Sequence, residues 1–189
     1  MTTEIFHIRE QALEYEFFHR VDQELLEQLR RNMELVKRRK ALADATGIDD
    51  ESVLDELVEL NISSETIFAL SLFPLVWVAW ADGHIDGRQR KAILDAAHST
   101  GHERDTASHQ LIESWLEHKP NAKLQTAWKD YVHFICQNTS ESACRSLKND
   151  ILARTRHVAE AVSDIYGFHD AEAVHDPILR EVEKAFDRD

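Results

Sequence analysis

The chain has 189 residues, with 22 Lys and Arg against 35 Asp and Glu, a formal net charge of −13 with histidine neutral. That length suits one domain with a small appendage and a core that needs neither metal nor disulfides, and five Gly with three Pro are too few for the turns of a β sandwich or barrel. A sequence pI of about 5.2 repels polyphosphate, which argues against nucleic acid as a partner.

Apolar residues recur at three and four, the period of a helix. Phe17, Val21, Leu25, Leu29, Met33 and Val36 make one stripe along a first helix, from about Ile8 to Ala45. Gly47 ends it in the manner of a C-terminal glycine. Near that end Lys37, Arg38, Arg39 and Lys40 form the one dense basic cluster, read as a solvated helix face or as a surface for an anionic partner or membrane. Asp49 or Asp50 then caps a short helix with Val53, Leu54, Leu57 and Val58 inward. The next helix, from Ser63 or Ser64 to Ala81, is apolar on every side, so it belongs at the centre of a bundle, kinked at Pro74. Its uncharged run, Thr66 to Ala81, falls short of the about 20 residues that cross a bilayer.

Asp86 caps a helix closed by Gly101, and Asp105 opens another with Leu111, Ile112, Trp115 and Leu116 inward. A helix over Asn121 to Gln137 buries Leu124, Trp128, Tyr131, Val132 and Ile135. A long one from Ser140 to Gly167 buries Ala143, Leu147, Ile151, Val158, Val162 and Ile165. Asp176-Pro177 reads as a cap and first-turn proline opening a last helix, with Ile178, Leu179, Val182 and Phe186 on one face. No stretch alternates with period two for long enough to make a strand. The expectation is an all-α fold: a single compact bundle of seven to eight helices around a fully apolar central helix, with a long N-terminal helix. Residues 1–60 read as a helical arm or hairpin and 61–189 as the helical domain. Trp77, Trp80, Trp115 and Trp128 fall among core positions, with Trp80 expected to be partly exposed. Cys136 and Cys144 read as buried or idle thiols, and the first residues lack the build of a signal peptide. A cytoplasmic, reduced protein is the expectation.

The most distinctive stretch is Ala79-Trp80-Ala81-Asp82-Gly83-His84-Ile85-Asp86-Gly87-Arg88-Gln89. Asp82, His84 and Asp86 alternate, so their side chains can share one concavity and hold a divalent cation through oxygen and nitrogen ligands. An EF-hand is rejected in both registers: with Asp82 first, Ile93 stands where a bidentate Glu is required, and with Gly83 as the invariant glycine the twelfth position is Gln89. The plainer reading is that Asp82 and Asp86 cap helix ends around a turn.

This string resembles the signature of the tellurite-resistance TerB-like family, in which an Ala-x-Ala-Asp-Gly-x-Ile/Val-x-x-x-Glu pattern joins two core helices of an all-helical domain. Ala79, Ala81, Asp82, Gly83 and Ile85 match position for position, and Gln89 stands where the family has Glu. Gly167 to Glu172, leading into Asp176-Pro177, is a degraded counterpart of a second acidic turn. The match covers about fifteen residues closely, the architecture of 61–189 loosely, and residues 1–60 not at all. The resemblance implies a non-enzymatic interaction module of a bacterial stress system. Its partners are expected to be proteins, among them a membrane-associated complex, with cation binding through Asp82 and Asp86 and partner contact through Trp80 and Asp82.

Two other classes compete. Glu16-x-x-His19 and Glu172-x-x-His175 have the spacing that puts two ligands on one helix face in di-metal carboxylate enzymes. The central helix offers no carboxylate to complete such a site, and His98 with His102 reads as surface histidine rather than a transition-metal patch. Phosphate-loop, nucleophile-elbow, His-Glu-x-x-His and Cys-x-x-Cys signatures are absent. The third reading is a structural oligomerisation module, a homodimer formed through the N-terminal helix.

Overall fold

Long runs of helix formers broken by Gly, Asp and Pro produce helices throughout the computed structural model, which describes residues 2–100, 105–166 and 170–187. Side chains are described for 15–100, 105–161 and 175–187. Helix α1 (Thr2–Thr46) ends where Gly47 takes a left-handed φ of 73° and its N–H donates to the Ala43 carbonyl. Asp50, not Asp49, caps α2 (Glu51–Glu59), accepting from the N–H groups of Ser52 and Val53.

The apolar stretch expected as one kinked helix is two elements. Ile67–Leu72 winds as a 3₁₀ helix and Phe73–Ala79 as α3, with Pro74 in its first turn. Proline has no N–H to give to a preceding turn, and the start of a helix is where none is asked of it. The composite is central as expected: Ile67, Leu70, Leu72, Leu75, Val76 and Val78 are all buried. Helices α4 (Gly87–Ser99), α5 (Ala107–Glu117), α7 (Glu141–Tyr166) and α8 (Asp170–Lys184) pack around α3, while α6 (Lys123–Gln137) packs on α2 and α7. Phe73 anchors an aromatic centre, edge-on to Trp115 and tilted against Trp128, which meets Phe186 just past the end of α8. The fold is all-α, and no strand occurs among the described residues.

Several boundaries differ from expectation. Thr106, not Asp105, caps α5, its hydroxyl accepting from the His109 N–H. In α7 it is Cys144 that turns inward and Ala143 that faces solvent. Helix α8 starts at Asp170, so Pro177 lies inside it, and Asp176 stands 3.6 Å from Arg180 one turn on instead of capping. Gly101, His102, Gly167 and the Phe168-His169 part of the second acidic turn lie outside the described residues.

Cys136 and Cys144 are neither free nor idle. They form a disulfide, with Cα atoms 5.1 Å apart, that ties the end of α6 to the first turn of α7. They lie eight positions apart, and the tight connection brings both inward faces to the same side. Structural disulfides persist in oxidising compartments, which runs against the expectation of a reduced protein.

Residues 42–60 contribute Leu42, Ile48, Leu54, Leu57 and Val58 to the same core as residues 62–186. What stands apart is shorter than residues 1–60. Between residues 15 and 37 every α1 side chain except half-buried Val21 is exposed, and Arg39, paired with Asp55, marks where the helix meets the body.

Candidate functional site

The distinctive corner is built from the end of α3 and the start of α4. Trp80 closes α3, and Gly83 takes a φ of 91°, a conformation that costs a glycine little, while its N–H donates to the Trp80 carbonyl. Ile85 leans on the core and holds the turn against the body. Asp82 faces solvent; its Oδ1 accepts from the His84 N–H at 3.3 Å and lies 3.5 Å from His84 Nδ1.

Asp86 caps the start of α4. Its Oδ1 accepts from the N–H groups of Arg88 at 2.7 Å and Gln89 at 2.8 Å, and the Gln89 side-chain oxygen accepts from the Asp86 N–H at 3.1 Å. This is a reciprocal capping box. Gln89 is 1% exposed, a buried amide that closes the helix end.

The cation expectation therefore meets a geometric obstacle. Asp82, His84 and Asp86 alternate in sequence, but the carboxylate of Asp86 is spent on its own helix N-terminus and that of Asp82 on the turn. Among the described residues no group of three or more His, Cys, Asp or Glu side chains is placed to hold a metal ion. Asp82, His84 and Asp86 are thus not brought together as ligands.

Trp80 is half-buried, as expected, but its indole is committed. Nε1 donates to the Trp115 carbonyl at 2.8 Å, satisfying an acceptor in the last turn of α5 that has no helical N–H of its own. Arg90 of α4 reaches Glu117 of α5 at 3.7 Å nearby. The corner thus docks α3 and α4 onto α5, leaving Asp82 and His84 as its exposed face.

The other expected ligands are scattered. Glu16 and His19 lie on the exposed part of α1, far along the chain from any helix of the body, and the side chain of Glu172 lies outside the described residues. His175 is buried. His109, which with His98 and His102 is the nearest thing to a histidine group in the sequence, is buried, with Nε2 3.8 Å from Glu113; Ser108, which carried no assignment, is buried too, its hydroxyl donating to the Glu65 carbonyl and tying α5 to the entry of the 3₁₀ segment. Their signal was available, since His109, Ile112 and Leu116 repeat at three and four on one face. Surface clefts occur between α4 and α7, lined by Asp95, Ser99, Arg154 and His157 among alanines, and beside the disulfide, lined by Glu141, Arg145, Lys148 and Asp187. Glu56 has its pKa raised, first by burial and then by the neighbouring Asp130 and Glu59 carboxylates, against the lowering pull of Lys123.

The largest departure from an ordinary surface is on α1. Phe18, Leu25, Leu26, Leu29, Met33 and Val36 are 53–62% exposed. Isolated apolar residues at a surface mean nothing, but a continuous row of them marks a binding face. No helix among the described residues is long and apolar enough to cross a membrane. No family model, no curated protein and no solved structure matches the chain.

Proposed function

We propose that this protein is a non-enzymatic, TerB-like helical module of a bacterial stress system, acting by holding a protein partner through the projecting part of α1. The observation that carries the interaction reading is the uncovered apolar row from Phe18 to Val36 on a helix that touches the body only near its end. Helices of this kind draw most of their stability from packing an amphipathic face, and here that face has no cover among the described residues. Support for the family reading is confined to the Ala79 to Gln89 string, whose Asp-Gly turn joins two helices of the core. Support for action without catalysis is that Trp80, Asp86 and Gln89 at the corner are engaged in caps and docking contacts. The di-metal alternative finds no ligand set among the described residues.

Affinity purification of the full chain from its native cell tests this reading, with Leu25→Glu/Leu29→Glu and Asp82→Ala as variants. The expected result is that the α1 double variant loses the bound protein. Retention by that variant, with loss on Asp82→Ala, would move the binding surface to the corner.

A further inference from the structure

The apolar row of α1 runs Phe18, Val21, Leu25, Leu29, Met33, Val36. Its steps of three, four, four, four and three average 3.6, so it stays on one side of a straight helix for about 27 Å at 1.5 Å per residue. On the same side only Asp22 and Asn32 are polar.

The helix is also polarised in charge. Residues 15–27 hold Glu16, Asp22, Glu24 and Glu27 against Arg20 alone. Residues 28–40 hold Arg30, Arg31, Lys37, Arg38, Arg39 and Lys40 against Glu34 alone. One half is acidic and the other basic, and the acid excess of the whole chain resides on the body.

We infer that the row is covered by α1 of a second copy, the two helices running antiparallel with Leu25 of each against Leu29 of the other. The inference rests on the reading of α1 as the binding surface and names its occupant. In that alignment Phe18 meets Val36 and Val21 meets Met33, so large apolar groups oppose one another along the whole row. Asp22 meets Asn32, so the two polar members of the face fall together as a carboxylate and an amide, not singly against hydrocarbon. Antiparallel pairing lays the acidic half of each helix along the basic half of the other.

The parallel alternative lays acidic half on acidic half and basic half on basic half. It also brings two strongly acidic bodies to the same end, where they repel. Antiparallel pairing sends the bodies to opposite ends of a two-helix rod. An anionic membrane is the poorer occupant, because the N-terminal half of the same helix would carry its acids to the surface.

Sedimentation equilibrium of the full chain over a range of concentrations tests the assembly. The expected result is a monomer–dimer equilibrium that Leu25→Glu/Leu29→Glu abolishes while leaving the tryptophan-reported melting of the body unchanged. Orientation is read by mixing Phe18→Cys and Val36→Cys chains under oxidation, the native cysteines being already joined to each other. Cross-links between 18 and 36 are expected; 18 to 18 links in excess overturn the antiparallel arrangement. A full chain that is monomeric throughout, yet loses a co-purifying protein on Leu25→Glu/Leu29→Glu, overturns self-pairing and leaves the interaction reading standing. A monomer that binds nothing through α1 overturns both, and a monomer that co-sediments with phosphatidylserine vesicles through α1 overturns self-pairing in favour of a membrane.

Discussion

At the level of single residues, Asp86 and Gln89 decide the corner. One carboxylate oxygen satisfies two backbone donors at the start of α4, and a buried amide returns the bond to the cap. Removing such a cap costs about 1 kcal/mol, so Asp86→Ala should lower the free energy of unfolding by that amount, read as a lower denaturant midpoint at an unchanged slope. Asp82→Ala, at an exposed position, should change it by less than about 0.5 kcal/mol. Glu56 sets a pH dependence of its own. Its pKa in the folded state lies above the ordinary value of 4.5, because burial and the Asp130 and Glu59 carboxylates disfavour its charge more than Lys123 favours it. The folded state therefore binds the extra proton, and stability from this group is present below pH 4.5 and lost as pH rises through the raised value. Glu56→Gln should accordingly stabilise the protein at pH 7, and the gain should vanish in melts at pH 4. Both Asp86 as a cap and the Asp-Gly turn were legible in the sequence, because caps and turns are settled within four residues. That Asp82, His84 and Asp86 diverge was not, since alternation in a chain predicts a common direction only in a strand.

At the level of elements, the split of the central stretch into a 3₁₀ segment and α3 follows from Pro74, which the sequence located while misjudging its effect. A kink keeps the helix running, whereas here the chain tightens before the proline and starts again at it. Trp128 is fully buried where α6, α3 and α8 meet, and Trp128→Ala should cost about 3–5 kcal/mol in equilibrium unfolding. The α6–α7 connection carries the disulfide across eight residues, and closing a loop of that size contributes about 2.5 kcal/mol by loop-closure entropy. Thiol titration of the denatured, unreduced chain should find no free thiol, and reduction should lower the melting temperature. Within the body the inward faces of α5 and α6 follow the period of three and four, and the exception sits at a helix end, where a shift of one residue exchanges Ala143 for Cys144; the equally long row on α1 is exposed.

At the level of the whole molecule, the body is one core from Leu42 to Phe186, with α1 projecting from it. Deleting residues 1–37 should leave a folded body whose tryptophan fluorescence melts as in the full chain, all four tryptophans lying between residues 77 and 128. Extending the deletion through residue 46 removes Leu42, which is fully buried, and should cost several kcal/mol more in the same melt. The two deletions together locate the end of the arm by stability alone.

The amino-acid order alone determined the helices, most of their caps and the apolar centre, because each depends on hydrogen bonds and side-chain rows within a few residues. The tertiary structure decided which apolar faces are covered. The row on α1 and the row on α7 read alike in sequence, yet the first is exposed whereas Ile151 and Val158 of the second are buried. Packing, the cysteine pairing and the aim of a carboxylate depend on residues far apart in the chain, and no local pattern records which of them will meet.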